Sequence, residues 1–128
     1  MTGSEDGMAV GRAGGLDLRV DGDGADDGVY VVAVAGEVDL YSAPDLFSAL
    51  RELADGGAQH VVVDVTGTSF IDSTGLGVLI AATKMLRLKH GDLYLVGAHG
   101  PTERAVYAAG LHTFFKLARS VDAALERI

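Results

Sequence analysis

The chain has 128 residues, 48% of them apolar and 22% charged, with a formal charge of -8 and no cysteine. That is the size and balance of one globular domain. It leaves no room for a second domain, excludes disulfides, thiolate metal sites and cysteine nucleophiles, and argues against a nucleic-acid backbone or an anionic membrane surface as partner, since both select clustered Lys and Arg.

No apolar run reaches the roughly 18 residues of a membrane span, and MTGSEDGMAV has neither the basic nor the apolar region of a secretory signal, so a cytoplasmic location is expected. Residues 1–28 hold seven acids against two bases and eight of the eighteen glycines. Glycine raises the entropy cost of ordering, and residues 1–15 offer few apolar side chains in return, so they are expected to form a flexible Gly-rich leader to a domain spanning 16–128.

Leu16–Val20 alternates apolar and polar residues, and Gly28–Gly36 is β-branched and aromatic; together they read as a hairpin around the acidic turn DGDGADD. That turn lacks the fixed Gly and closing Glu of an EF-hand loop and reads as solvated. SAPDLFSALRELADGG predicts an amphipathic helix with Ser42 as N-cap, Pro44 and Asp45 in the first turn and a stop at Gly56. HVVVDVTG is a near-continuous apolar strand, as for one covered on both faces. A second helix runs from about Ser73 to Lys89, with Thr83, Lys84, Arg87 and Lys89 forming a polar end. DLYLVG is a strand, PTERAVYAAG a helix between Pro101 and Gly110, HTFFKLA a last strand, and SVDAALERI a last helix capped by Ser120. Strands separated by helices of this length run mostly parallel, through right-handed crossovers. The expectation is an α/β domain: a five-stranded, mostly parallel mixed sheet with about four helices in the order ββαβαβαβα.

The stretch SFIDSTGLGVLI joins a strand to the second helix, and function in open α/β sheets gathers at such carboxyl ends. Ser73 there is a nucleophile, a modification site or, with Thr74, a helix cap; spacing alone favours the cap. A phosphate on Ser73 would meet the free N–H groups and dipole of the first helical turn. Gly75 and Gly77 leave little side chain over that turn, which lets a partner loop come close. Leu76, Val78, Leu79 and Ile80 make the early helix apolar nearly all round, partly for the core and partly as a docking patch. A nucleophile elbow wants Gly two positions to either side of the Ser; Gly75 fits and Ile71 does not. His60, His90, His99 and His112 fall in loops or at strand starts, so no base is placed to activate Ser73. Asp39, Asp64 and Asp72 flank strand ends near one edge of the sheet, but with no further ligand at metal spacing each reads as a loop or helix cap. No cofactor is expected.

The blocks GEVDLYSAPDL, HVVVDVTGTSFIDSTGLGVLI and GLHTFFKLARSVDAAL resemble the anti-sigma-factor antagonists, the small stand-alone members of the STAS domain family. The resemblance spans about Leu16 to Leu125. It implies a binding protein and not an enzyme: the unphosphorylated form binds an anti-sigma factor with serine kinase activity and so frees a sigma factor, phosphorylation ends the binding, and a phosphoserine phosphatase restores it. By that resemblance Ser73 is the phosphoacceptor, Asp72 the acid preceding it and Asp39 an acid of the partner surface, with Thr74, Gly75, Leu76 and Gly77 completing that surface. It implies stress-linked transcription control without direct contact with nucleic acid or membrane. The alternative is a STAS scaffold or small-ligand sensor within a larger signalling assembly.

Overall fold

The computed structural model describes residues 8–13, 16–22 and 27–128. Among them, the elements are β1 (Met8–Ala13), β2 (Leu16–Asp21), β3 (Val29–Val38), α1 (Ala43–Asp55), β4 (His60–Asp64), β5 (Thr68–Ile71), α2 (Ser73–Arg87), β6 (Asp92–Val96), α3 (Gly100–Ala108), β7 (Lys116–Ala118) and α4 (Val121–Leu125). The sheet runs β1-β2-β3-β4-β6-β7, with β5 off this path beside β3. β2 pairs antiparallel with β1 and β3; every pair from β3 onward is parallel.

Alternation along the strands divides the core in two. Val61 and Val63 of β4 and Leu93 and Leu95 of β6 pack with Leu46 and Leu50 of α1 and Leu79 and Leu86 of α2. Val62, Tyr94 and Val96 point the other way, against Ala124 of α4. The run VVV is therefore buried on both faces, as its composition predicts. On α1 the buried stripe is Ala43, Leu46, Ala49, Leu50 and Ala54. Burial of such a stripe, more than helix propensity, holds short helices in place.

The mixed, mostly parallel sheet and the four helices agree with the sequence, but the strand count rises from five to seven. β1 lies within the expected leader, where Met8 pairs with Val20 and Ala13 with Leu16; residues 1–7 and 14–15 of that stretch lie outside the described residues. Residues 23–26 of the acidic turn lie outside them too. β5 is the second addition. Val29–Ala33 of β3 pair with His60–Asp64 of β4, but the end of β3, Gly36–Val38, pairs with β5. The chain changes course at residues 65–67, where Thr68 N donates to Val65 O and Gly36 N donates to Gly67 O, both at 2.9 Å. The approach is close: a Cβ on Gly67 would lie 3.0 Å from that of Ala35. Thr68 Oγ1 ties the new strand down by donating to Val34 O at 2.8 Å.

Two smaller expectations are corrected. Only Lys116–Ala118 of HTFFKLA is strand, because Phe114 N and Phe115 N both donate to Leu111 O and close a turn first. Thr83 does not belong to the polar end of α2. It is fully buried, with its hydroxyl satisfied by Leu79 O at 2.7 Å, a bond to the preceding turn that lets a threonine sit in a core.

Candidate functional site

The partner switch along β3 builds the site. In the register of β3 and β5, Glu37 pairs with Phe70 and Val38 with Ile71, and Asp72 N then donates to Val38 O at 3.0 Å. The two strands end side by side. Asp39 and Asp72, 33 positions apart in sequence, thus lead adjacent strand-to-helix corners.

At the first corner Asp39 Oδ1 accepts from Tyr41 N and Ser42 N, both at 3.0 Å. Ser42 Oγ accepts from Asp39 N at 3.0 Å and donates to Glu37 O at 2.7 Å. Ser42 holds the N-cap position of α1, but its hydroxyl faces back into the turn and makes no cap bond. The turn therefore projects Leu40 and Tyr41 outward, 62% and 79% exposed.

At the second corner the N-cap of α2 is Asp72, whose Oδ1 accepts from Gly75 N at 3.0 Å. Neither Ser73 nor Thr74 is the cap. Both are exposed residues of the first helical turn, and among the described residues neither hydroxyl has a hydrogen-bond partner. With 3.6 residues per turn, Ser73, Gly77 and Lys84 share the outer side, whereas Gly75, Leu76, Leu79, Ala82, Thr83 and Leu86 are buried. This corrects two expected surface residues. Leu76 is only 7% exposed and belongs to the core. Gly75 is buried, and a Cβ there would come within 2.6 Å of Val38 Cγ1 and 2.7 Å of Ile71 Cγ1. Its role is internal packing of α2 on the paired strands. A Cβ on Gly77 would meet nothing within 4 Å, so Gly77 does leave the outer face bare.

Phe70, 44% exposed on β5, joins Leu40 and Tyr41 among the large apolar side chains open to solvent. Sequence reasoning missed all three. The pair Leu40-Tyr41 in a loop between two polar residues was the available signal; Phe70 had none, because its outward direction depends on the pairing of β5. Asp64 lies apart from this group in function: its Oδ1 accepts from Thr66 N at 3.0 Å and Thr66 Oγ1 at 2.6 Å, closing the turn before β5. All three aspartates thus cap turns or helix starts, and no metal-holding group of His, Cys, Asp or Glu occurs among the described residues.

Three of the four histidines have contacts of their own. His99 Nε2 is engaged with Thr66 O at 2.8 Å, the His112 ring stacks on Tyr107 with centroids 4.4 Å apart, and His60 sits at the opposite end of β4, its ring tilted against Tyr94. No helix among the described residues is long and apolar enough to cross a membrane.

Comparison with known proteins agrees with this architecture. An anti-sigma-B factor antagonist of Staphylococcus aureus is 33% identical over 85 residues, which cover 66% of this chain and 79% of that protein. The crystal structure of an anti-sigma factor antagonist from Mycobacterium paratuberculosis superposes with a TM-score of 0.79 at 30% identity, covering 88% of this chain and 93% of the other. The anti-sigma factor antagonist SpoIIAA in its unphosphorylated form shares the fold at 18% identity, with a TM-score of 0.74 and coverage of 86% and 94%. The profile of the STAS domain matches residues 25–124, which hold β3 through α3 and β7, most of α4 and both aspartate-led corners, and the chain belongs to the STAS domain family.

Proposed function

We propose that this chain is an anti-sigma-factor antagonist whose unphosphorylated form binds an anti-sigma factor with serine kinase activity, and that phosphorylation of Ser73 by that kinase ends the binding until a phosphoserine phosphatase reverses it. The protein acts by binding and not by catalysis. The observation that carries the reading is the state of Ser73: a solvent-open hydroxyl without an internal partner, next to Asp72 and on a corner adjacent to the one that presents exposed Leu40 and Tyr41. Relatives named as antagonists of anti-sigma factors support the partner class.

The physics of the switch is local. A phosphate adds about -1.5 to -2 charge at pH 7. On Ser73 that charge stands beside Asp72 on the corner next to that of Asp39, and a partner that seats apolar side chains on Leu40 and Tyr41 and covers this corner would have to desolvate it. The fold itself has no reason to change. The cap bond from Gly75 N to Asp72 is internal to the corner, and the N-terminus of α2 favours negative charge.

The test is to incubate wild type, Ser73→Ala and Thr74→Ala with ATP and a serine-kinase anti-sigma factor from the same organism, and to map the phosphopeptide by mass spectrometry. Phosphate on Ser73 in wild type and in Thr74→Ala, with none in Ser73→Ala, is the expected pattern. Phosphate on Thr74 in wild type, or undiminished labelling of Ser73→Ala, overturns the assignment. Turnover of a generic ester that disappears in Ser73→Ala would overturn the binding-protein reading.

A further inference from the structure

A cleft of about 620 Å³ opens at the carboxyl ends of β6 and β7, under α3. Its volume falls in the range of pockets that take small organic ligands, about 300–1,000 Å³. None of Asp39, Asp72, Ser73 or Thr74 lines it. Leu95 and Val106 of the main core close it from below, each only 1% exposed, and half-buried Leu117 is the aliphatic side chain that reaches its surface. One wall is the ring of Tyr107, held in place by its stack on His112. Another is the backbone of residues 97–99, where Gly97 has φ +78 and a Cβ would lie 2.1 Å from Thr66 Oγ1. That wall is braced from behind by the bond between His99 Nε2 and Thr66 O.

The charges in the cleft are what define its occupant. Arg119 and Glu103 both line it, both are exposed, and among the described residues neither enters a salt bridge, with the other or elsewhere. A guanidinium offers a planar fork of donors that matches a carboxylate, and a carboxylate offers only acceptors. A simple dianion would satisfy Arg119 and be repelled by Glu103; a plain hydrocarbon would use neither.

We propose that this cleft binds a small organic acid that carries, besides one carboxylate, a hydrogen-bond donor and an apolar body. The carboxylate meets Arg119, the donor meets Glu103, and the body lies over Leu117 beside the Tyr107 ring. This site is independent of the Ser73 corner and holds whether or not Ser73 is phosphorylated.

Titration of the uniformly 15N-labelled full chain with para-hydroxyphenylacetate, and separately with the hydroxy-acid analogue of leucine, tests it by amide chemical shifts. At least one acid should give saturable shifts centred on Gly97, Ala98, Glu103 and Arg119, while para-hydroxyphenylacetamide, which lacks the charge, binds at least about tenfold more weakly, as loss of a charge-assisted contact implies. Arg119→Gln should weaken the acid by a similar factor with an unchanged melting curve. Glu103→Gln should narrow the difference between para-hydroxyphenylacetate and phenylacetate. Absence of saturable cleft shifts with both acids, equal binding of acid and amide, or undiminished binding to Arg119→Gln would overturn the proposal.

Discussion

Ser42 and Ser73 open neighbouring helices, each shortly after an aspartate that ends a strand. Ser42 is fully buried; its Oγ donates to Glu37 O and accepts from Asp39 N. Ser73 is exposed and its hydroxyl has no partner among the described residues. The difference follows from where each aspartate stands. Asp39 precedes Ser42 by three residues, so a turn forms between them and folds the serine inward. Asp72 immediately precedes Ser73 and takes the cap itself, which leaves the serine at the first helical position with nothing to bond. A buried, saturated hydroxyl is structural; an open, unsatisfied one has no such role in holding the fold.

The strongest way to break this comparison is to disturb the packing that sets the second corner. Gly75→Val forces side-chain atoms into Val38 and Ile71 and should cost about 3 kcal/mol, the upper end for overpacking, whereas Gly77→Ala meets open space and should be neutral or stabilising by up to about 1 kcal/mol. Thermal melts of the two variants check this; equal melting temperatures would mean that Gly75 is not a packing position.

Next in size is Ser42→Ala. It breaks the bonds to Glu37 O and Asp39 N in a part-buried turn and should cost about 1–3 kcal/mol in urea unfolding, while Ser73→Ala should stay within about 0.5 kcal/mol. Comparable losses at both sites would erase the distinction between the two serines.

Asp39→Ala sharpens it further. Because the carboxylate closes the turn, the change should cost about 1 kcal/mol of stability and also weaken partner binding by loosening Leu40 and Tyr41; Asp39→Asn, which keeps one acceptor oxygen, should lose less of both. Calorimetric binding and melting of the two variants separate turn geometry from charge: if Asn binds as poorly as Ala at near-wild-type stability, the charge itself is the contact. The smallest expected effect is that of phosphate on fold stability. A Ser73 phosphoform should melt within about 2 °C of the free protein, since stabilisation by the helix N-terminus opposes repulsion from Asp72; a large drop would refute a local switch.

The α/β alternation, the four helices and the corner at Asp72-Ser73 were legible in the sequence, because apolar period, Gly and Pro stops and helix-start residues act over a few positions and depend little on distant chain. What lay beyond the sequence depended on which strand lies beside which. The sequence reads FI as the end of one strand, and only the switch of β3 from β4 to β5 makes Thr68–Ile71 a separate strand and turns Phe70 outward. The same pairing of Val38 with Ile71 sets Asp39 beside Asp72 and leaves no room for a Cβ at Gly75. Strand register is chosen by the packing of the whole sheet, and a shift of one residue would reverse every side chain on the strand; the local sequence therefore determines that a corner exists, and the tertiary structure alone decides which side chains meet there.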